Sequence, residues 1–200
     1  MKFFYGDIIL DIPLSVYCPE EDSLLLAKVL EQETLEGKTA LDMGCGSGFL
    51  AVLMAQKGAD VTACDSDEAS VAATKRNAAT NNTSIKAVLS DLFSHIDGTF
   101  DLIAFNPPYL PEGEDEHVVK DAVLLRQWQG GEQGRTSIEL FIAQAKQHLN
   151  EGGRILMLIS SATGEQEVGD LFKADGFTAT IAARQKIPWE ELMVIEAHNP

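Results

Sequence analysis

The stretch Asp42-Met43-Gly44-Cys45-Gly46-Ser47-Gly48 constrains the fold of this chain more than any other. Before it, Lys38 to Met43 reads as a buried strand; after it, Phe49 to Lys57 carries apolar residues at helical spacing and stops at Gly58. Glycine at 44, 46 and 48 permits a tight turn and lets a ligand approach bare backbone. A strand, a glycine turn and a helix in this order begin an α/β fold.

The same alternation continues downstream. Val61 to Asp65 is a second strand, and Ser66 or Asp67 caps a helix that runs to about Asn81. Asparagines at 77, 81 and 82 mark its exit. Ile85 to Leu89 is a third strand and Phe100 to Phe105 a fourth, ended by Pro107-Pro108. A helix from about Ser137 to Leu149 leads to Gly152-Gly153, which turns the chain into a fifth strand, Arg154 to Ile159. A helix over Glu165 to Ala174 ends at Gly176. Phe177 to Ala183 and Leu192 to Ala197 are separated only by Arg184 to Glu191, which suits an antiparallel pair at the end of the sheet. The pattern predicts a mostly parallel sheet with helices on both faces. Pro111 to Gly134 is polar and rich in Glu and Gly, so a mobile loop with one short helix is expected there.

With 200 residues the chain is expected to form one domain, with residues 1–36 as an amino-terminal cap segment and 37–200 as the core. Hydrophobic residues at 45% and charged residues at 23% exclude disorder over most of the length. No apolar run reaches the roughly 18–20 residues of a membrane span, and Met1 to Asp7 lacks the features of a secretory leader. A net charge of −16 opposes a phosphate backbone, which weighs against a non-specific nucleic-acid binder. The same charge either steers a basic protein partner or serves solubility alone. Cys18, Cys45 and Cys64 form no CxxC pair and fit a reducing cytoplasm. His95, His117, His148 and His198 are scattered, so no metal site is expected.

The glycine turn has the spacing G-x-G-x-G rather than the dinucleotide fingerprint G-x-G-x-x-G. Asp42, just before it, would repel a pyrophosphate but suits a ligand ammonium group. Asp65 closes the second strand 21 positions after Gly44, where a carboxylate binds the hydroxyls of a ribose. Asp91 and Leu92 follow the third strand and are placed to meet the edge and face of an adenine. An ammonium, a ribose and an adenine together describe S-adenosylmethionine. A ligand-free αβ corner and an NAD site are the competing readings.

Asn106-Pro107-Pro108-Tyr109 follows the fourth strand. An amide or exocyclic amine is a weak nucleophile because its lone pair is delocalised. A site helps by accepting hydrogen bonds from both N–H groups, which fixes the nitrogen and stabilises positive charge as it develops. The Asn106 side-chain oxygen is one acceptor and the Pro107 carbonyl another, aimed by the stiff Pro-Pro backbone. Tyr109 offers a ring for a planar group to stack on. A plain strand-ending turn is the alternative.

These segments resemble the class I methyltransferases, and within them the HemK-type glutamine methyltransferases. Val16 to Leu26 is similar to the Y-x-P-x-E-D-[ST]-x-L-L segment of the short archaeal and eukaryotic branch, and Trp128 to Arg135 to its A/W-x-G-G-x-x-G-R signature. Cys18 departs from that pattern, standing where eukaryotic relatives tend to have Glu. The resemblance implies a single Rossmann-like domain with seven strands in the order 3-2-1-4-5-7-6. It implies S-adenosylmethionine as cofactor and the Gln of a Gly-Gly-Gln motif in a class I translation release factor as methyl acceptor. Ser23, Asp42, Gly44, Gly46, Asp65, Asp91, Leu92 and Asn106 are the implied cofactor and substrate contacts. It also implies a cytoplasmic enzyme with a small zinc-binding activator subunit, which the apolar edge strand Ile85 to Leu89 is suited to pair with. Amino-methylation of nucleic acid and methylation of protein lysine are the alternative activities.

Overall fold

The computed structural model describes residues 1–109 and 135–199. It begins with a hairpin, β1 (Lys2–Tyr5) and β2 (Ile8–Asp11), which no sequence signal announced, followed by α1 (Glu21–Glu31). Then come β3 (Thr39–Met43), α2 (Phe49–Gln56), β4 (Asp60–Asp65), α3 (Glu68–Thr80), β5 (Ile85–Leu89) and β6 (Phe100–Phe105). The second half holds α4 (Thr136–Ala145), β7 (Leu149–Ser160), α5 (Glu165–Ala174), β8 (Thr178–Ile187) and β9 (Glu190–His198).

Among the described residues the main sheet has seven strands in the order β5-β4-β3-β6-β7-β9-β8. The five strands from β5 to β7 are parallel, and β9 pairs antiparallel with both β7 and β8. This is the expected seven-stranded α/β order. Strand residues alternate between two cores. Ala40, Leu102 and Leu156 face one core with α1, α2 and the hairpin; Leu41, Ile103 and Ile155 face the other with α4 and α5. Among the described residues, no helix is long and apolar enough to cross a membrane.

Helix α2, Phe-Leu-Ala-Val-Leu-Met-Ala-Gln, is apolar on nearly every side because it is covered on more than one side. The sheet lies beneath it, and the hairpin lies over it: the Phe49 ring meets Phe3 and Tyr5 edge-on at 5.3 and 5.0 Å.

The hairpin is tied down by two of the asparagines read above as a helix exit. Asn81 bonds both main-chain groups of Ile9, accepting at 2.9 Å and donating at 2.8 Å, as a neighbouring strand would. Asn77 is fully buried; its oxygen accepts from the Asp11 N–H at 2.8 Å while its nitrogen donates to the Ser47 carbonyl at 2.8 Å. Only Asn82, with φ of 55°, adopts the left-handed turn of an exit residue.

Three boundaries differ from the sequence reading. Gly152-Gly153 is not a turn before a strand: β7 already starts at Leu149, and its register against β6 shifts between Phe100 and Leu102. The pair is the bulge that absorbs this shift, and a Cβ on Gly153 would lie 2.9 Å from the Phe100 carbonyl oxygen. Helix α4 stops at Ala145, and a 3-10 turn over Lys146–His148 tightens its last residues. The Arg184 to Glu191 connection is mostly strand, because β8 and β9 extend to a tight turn at Pro188-Trp189, where Trp189 has φ of 77°. The loop expected over Pro111 to Gly134, and the signature from Trp128 as far as Gly134, lie outside the described residues.

Candidate active site

A cavity of about 810 Å³ opens above the carboxyl ends of β3, β4 and β6, where the order of strands reverses around β3. Its floor is the glycine turn, with φ of 66°, 50° and 81° at Gly44, Gly46 and Gly48. The last glycine is needed for packing: a Cβ there would lie 2.9 Å from the Thr74 Cα, because α3 presses on the loop. Thr74 also donates its hydroxyl to the Gly46 carbonyl at 3.2 Å. Space beside Gly46 is open, with nothing within 4 Å of where its Cβ would stand.

Asp42 ends β3 almost wholly buried, and its Oδ2 accepts the Ala51 N–H at 2.9 Å. Burial pushes its carboxyl up to about 8 against the opposing pull of that hydrogen bond. The neutral form is thereby favoured over the charged one. Asp65 ends β4; its two oxygens accept the N–H groups of Gly46 and Asp67, each at 2.9 Å. Burial raises its carboxyl too, with these bonds opposing. Asp91, exposed, and Leu92 border the cavity beyond β5. Leu92 sits at φ of 45°, a strained conformation for a branched side chain, and the buried Ser90 hydroxyl donates to its carbonyl at 2.8 Å.

Across the cavity Asn106 leaves the end of β6. Its side-chain nitrogen donates to Asp22 Oδ2 and Ser23 Oγ, both at 3.1 Å. Its Oδ1 is buried and has no hydrogen-bond partner among the described residues. Asp22 is itself buried, and its Oδ1 accepts the Tyr17 hydroxyl at 2.7 Å and the Ser23 N–H at 2.5 Å. Pro107 and Tyr109 line the same wall. The Tyr109 hydroxyl is raised well above the ordinary range by burial and by the nearby charges of Asp22, Glu190, Glu20 and Glu21, so the ring stays neutral.

The structure therefore brings Ser23, Asp42, Gly44, Gly46, Asp65, Asp91, Leu92, Asn106, Pro107 and Tyr109 to one cavity. Sequence reasoning missed the pair Tyr17 and Asp22. The signal was present in the tyrosine and acid of the segment Val16 to Leu26, but only the fold sets Asp22 against Asn106. Arg135, the described end of the second signature, donates to the Thr163 carbonyl at 2.9 Å and so ties the start of α4 to the turn after β7.

The chain is similar to several known proteins. A protein of Methanocaldococcus jannaschii named for N5-glutamine methyl transfer to protein is 43% identical over 91% of each chain. The release factor glutamine methyltransferase of Mycolicibacterium smegmatis is 28% identical, over 92% of this chain and 67% of its own. Among solved structures, a chain of the E. cuniculi Mtq2–Trm112 complex, responsible for methylation of the eRF1 translation termination factor, superposes with a TM-score of 0.75. It is 26% identical and covers 94% of this chain and 100% of that one. The methyltransferase small domain family matches residues 16–127, and with the relative at 43% identity this places the chain: it belongs to the methyltransferase small domain family.

Proposed function

We propose that this protein transfers a methyl group from S-adenosylmethionine to the side-chain amide nitrogen of glutamine in a protein, the Gly-Gly-Gln glutamine of a class I translation release factor, in the cytoplasm. The observation that carries the reading is the buried Asn106 oxygen beside the cavity, which has no partner among the described residues. A buried acceptor without a donor costs about 1–3 kcal/mol, and an incoming N–H relieves it.

The residues fit the cofactor. Asp42, its neutral form favoured when alone, regains its charge beside an ammonium group. Asp65 accepts main-chain N–H groups and keeps acceptor capacity at the cavity for a ribose hydroxyl. Asp91 and Leu92 offer an acceptor and an apolar face for an adenine. When bound, S-adenosylmethionine supplies a sulfonium methyl for an attacking nitrogen lone pair. Asn106 and the Pro107 carbonyl accept the N–H groups of the acceptor amide, hold its nitrogen in line and stabilise the charge that forms there. Tyr109 stacks on the amide plane. The proton lost after transfer leaves a cationic nitrogen acidic enough to need no strong base.

The names of the relatives from M. jannaschii and M. smegmatis support glutamine as acceptor. The E. cuniculi complex supports a small activator subunit, which we place, as a zinc-binding partner, on β5. That strand is the sheet edge, with Lys86 and Leu89 exposed. Leu89→Pro removes a main-chain donor that faces away from β4 and is expected to abolish co-purification with the activator while the melting temperature stays near wild type; equal co-purification would refute the placement.

The decisive experiment incubates the chain, activator and release factor with methyl-labelled S-adenosylmethionine and maps the label. Label on the Gly-Gly-Gln glutamine supports the reading; label on lysine or nucleic acid alone overturns it.

A further inference from the structure

A carboxamide has nearly the same shape in two orientations, and rotating it by half a turn exchanges acceptor for donor. Shape alone therefore does not make Asn106 present oxygen to the cavity; its partners must. Ser23 Oγ, 3.1 Å from the Asn106 nitrogen, does not decide the matter, because a hydroxyl both donates and accepts. Asp22 Oδ2, also at 3.1 Å, does decide it, because a carboxylate oxygen accepts and has no hydrogen to give. A flipped Asn106 would set two acceptor oxygens against each other with no hydrogen between them.

We propose that Asp22 is a positioning residue that locks the Asn106 amide with its oxygen toward the acceptor site, and so makes the site select a nitrogen that brings hydrogen-bond donors. The proposal rests on the functional reading above and adds to it the device that sets polarity. Asp22 is kept in place from behind by two donors on its other oxygen, the Tyr17 hydroxyl and the Ser23 N–H. Tyr17 holds its proton firmly, since burial and the charge of Asp22 push its hydroxyl far above the ordinary range.

The Ser23 N–H is fixed main chain, and this gives the lock a distinctive signature. In Asp22→Asn the new amide must turn its oxygen toward that N–H. Its nitrogen then faces Asn106, which rotates to offer oxygen to it and points its own nitrogen at the substrate. The isosteric substitution thus imposes the wrong polarity, whereas Asp22→Ala leaves Asn106 free to take either orientation.

The test measures turnover on the release factor, cofactor affinity and melting temperature for Asp22→Asn, Asp22→Ala and Tyr17→Phe, alone and with Asn106→Ala. Asp22→Asn is expected to lose about a hundredfold in kcat, as for loss of a transition-state hydrogen bond, with cofactor affinity within a few fold of wild type. Asp22→Ala is expected to lose less, and Tyr17→Phe least. In the Asn106→Ala background Asp22→Asn should cost nothing further, since the two act as one unit. Asp22→Ala falling to or below Asp22→Asn, or an undiminished loss in the Asn106→Ala background, would overturn the lock. A readout independent of any substrate is the Asn106 side-chain amide in NMR: its protons should show contacts to Ser23 in wild type and lose them in Asp22→Asn. Retained contacts refute the lock even if glutamine methylation stands, and lost contacts support it even if another nitrogen proves to be the acceptor.

Discussion

The two sides of the cavity are built from different material. On the glycine-turn side, Asp42 and Asp65 are held by main-chain N–H groups, those of Ala51, Gly46 and Asp67, each at 2.9 Å. On the other side, among the described residues, the Asn106 side chain is held by side chains 84 and 83 positions away in the sequence. Main-chain donors follow from the path of the backbone, so the first side tolerates neighbouring substitutions as long as the turn persists. Side-chain partners change with a single codon, so the second side is the more easily altered by substitution. The two sides also differ in electrostatics. Burial leaves the Asp42 carboxyl short of charge, waiting for a cation, whereas Asp22 has its oxygens occupied by three donors.

The sharpest way to break this comparison is Asn106→Ala. It is expected to bind S-adenosylmethionine nearly normally and lose about a hundredfold or more in turnover, measured with saturating cofactor. Wild-type turnover would remove Asn106 from the acceptor side. Asp65→Ala should do the reverse. Losing a charged hydrogen-bond acceptor for a diol costs about 1.5–3 kcal/mol, or roughly 10–100-fold in cofactor affinity by calorimetry, with the fold intact. Unchanged affinity would take Asp65 out of the ribose role. The smallest effect concerns stability. Asp42 is raised in the folded chain, so the unfolded chain ionises first as pH rises from about 4, and folding stability is lost progressively until about 8. Asp42→Asn removes that loss and keeps an oxygen for the Ala51 N–H. The variant should gain on wild type as pH rises through this window and hold a constant advantage in melting temperature above it. An advantage independent of pH would contradict the assigned burial effect.

What the sequence makes legible follows the same division. Asp42, Asp65 and the glycines are readable because strand, turn and helix are local patterns, and a residue at a strand's end lies at the site by construction. Asn106 is readable because the two prolines fix its surroundings. Tyr17 and Asp22 are not, because their role depends on α1 docking against the end of β6, a contact between distant segments that no periodicity encodes. The hairpin is hidden for a related reason. Its strands are four residues each, and their partner across β2 is a pair of asparagines, Asn77 on α3 and Asn81 just past its end, which read locally as helix-ending residues. Gly152-Gly153 shows the converse error: a glycine pair signals an irregular backbone, but whether a turn or a bulge results depends on the neighbouring strand.

Asn77 joins three parts of the chain with one side chain: α3, the Asp11 N–H of the hairpin, and the Ser47 carbonyl of the glycine loop. No hairpin residue borders the cavity, yet the hairpin's amide is one bond removed from the loop that does. In hydrogen-exchange terms, the Asp11 amide opens to solvent only when Asn77 lets go, and Asn77 is held on its other side by the loop. Whatever stiffens the loop therefore slows exchange at Asp11, which makes a hairpin amide outside the cavity a gauge of how firmly the glycine turn is held.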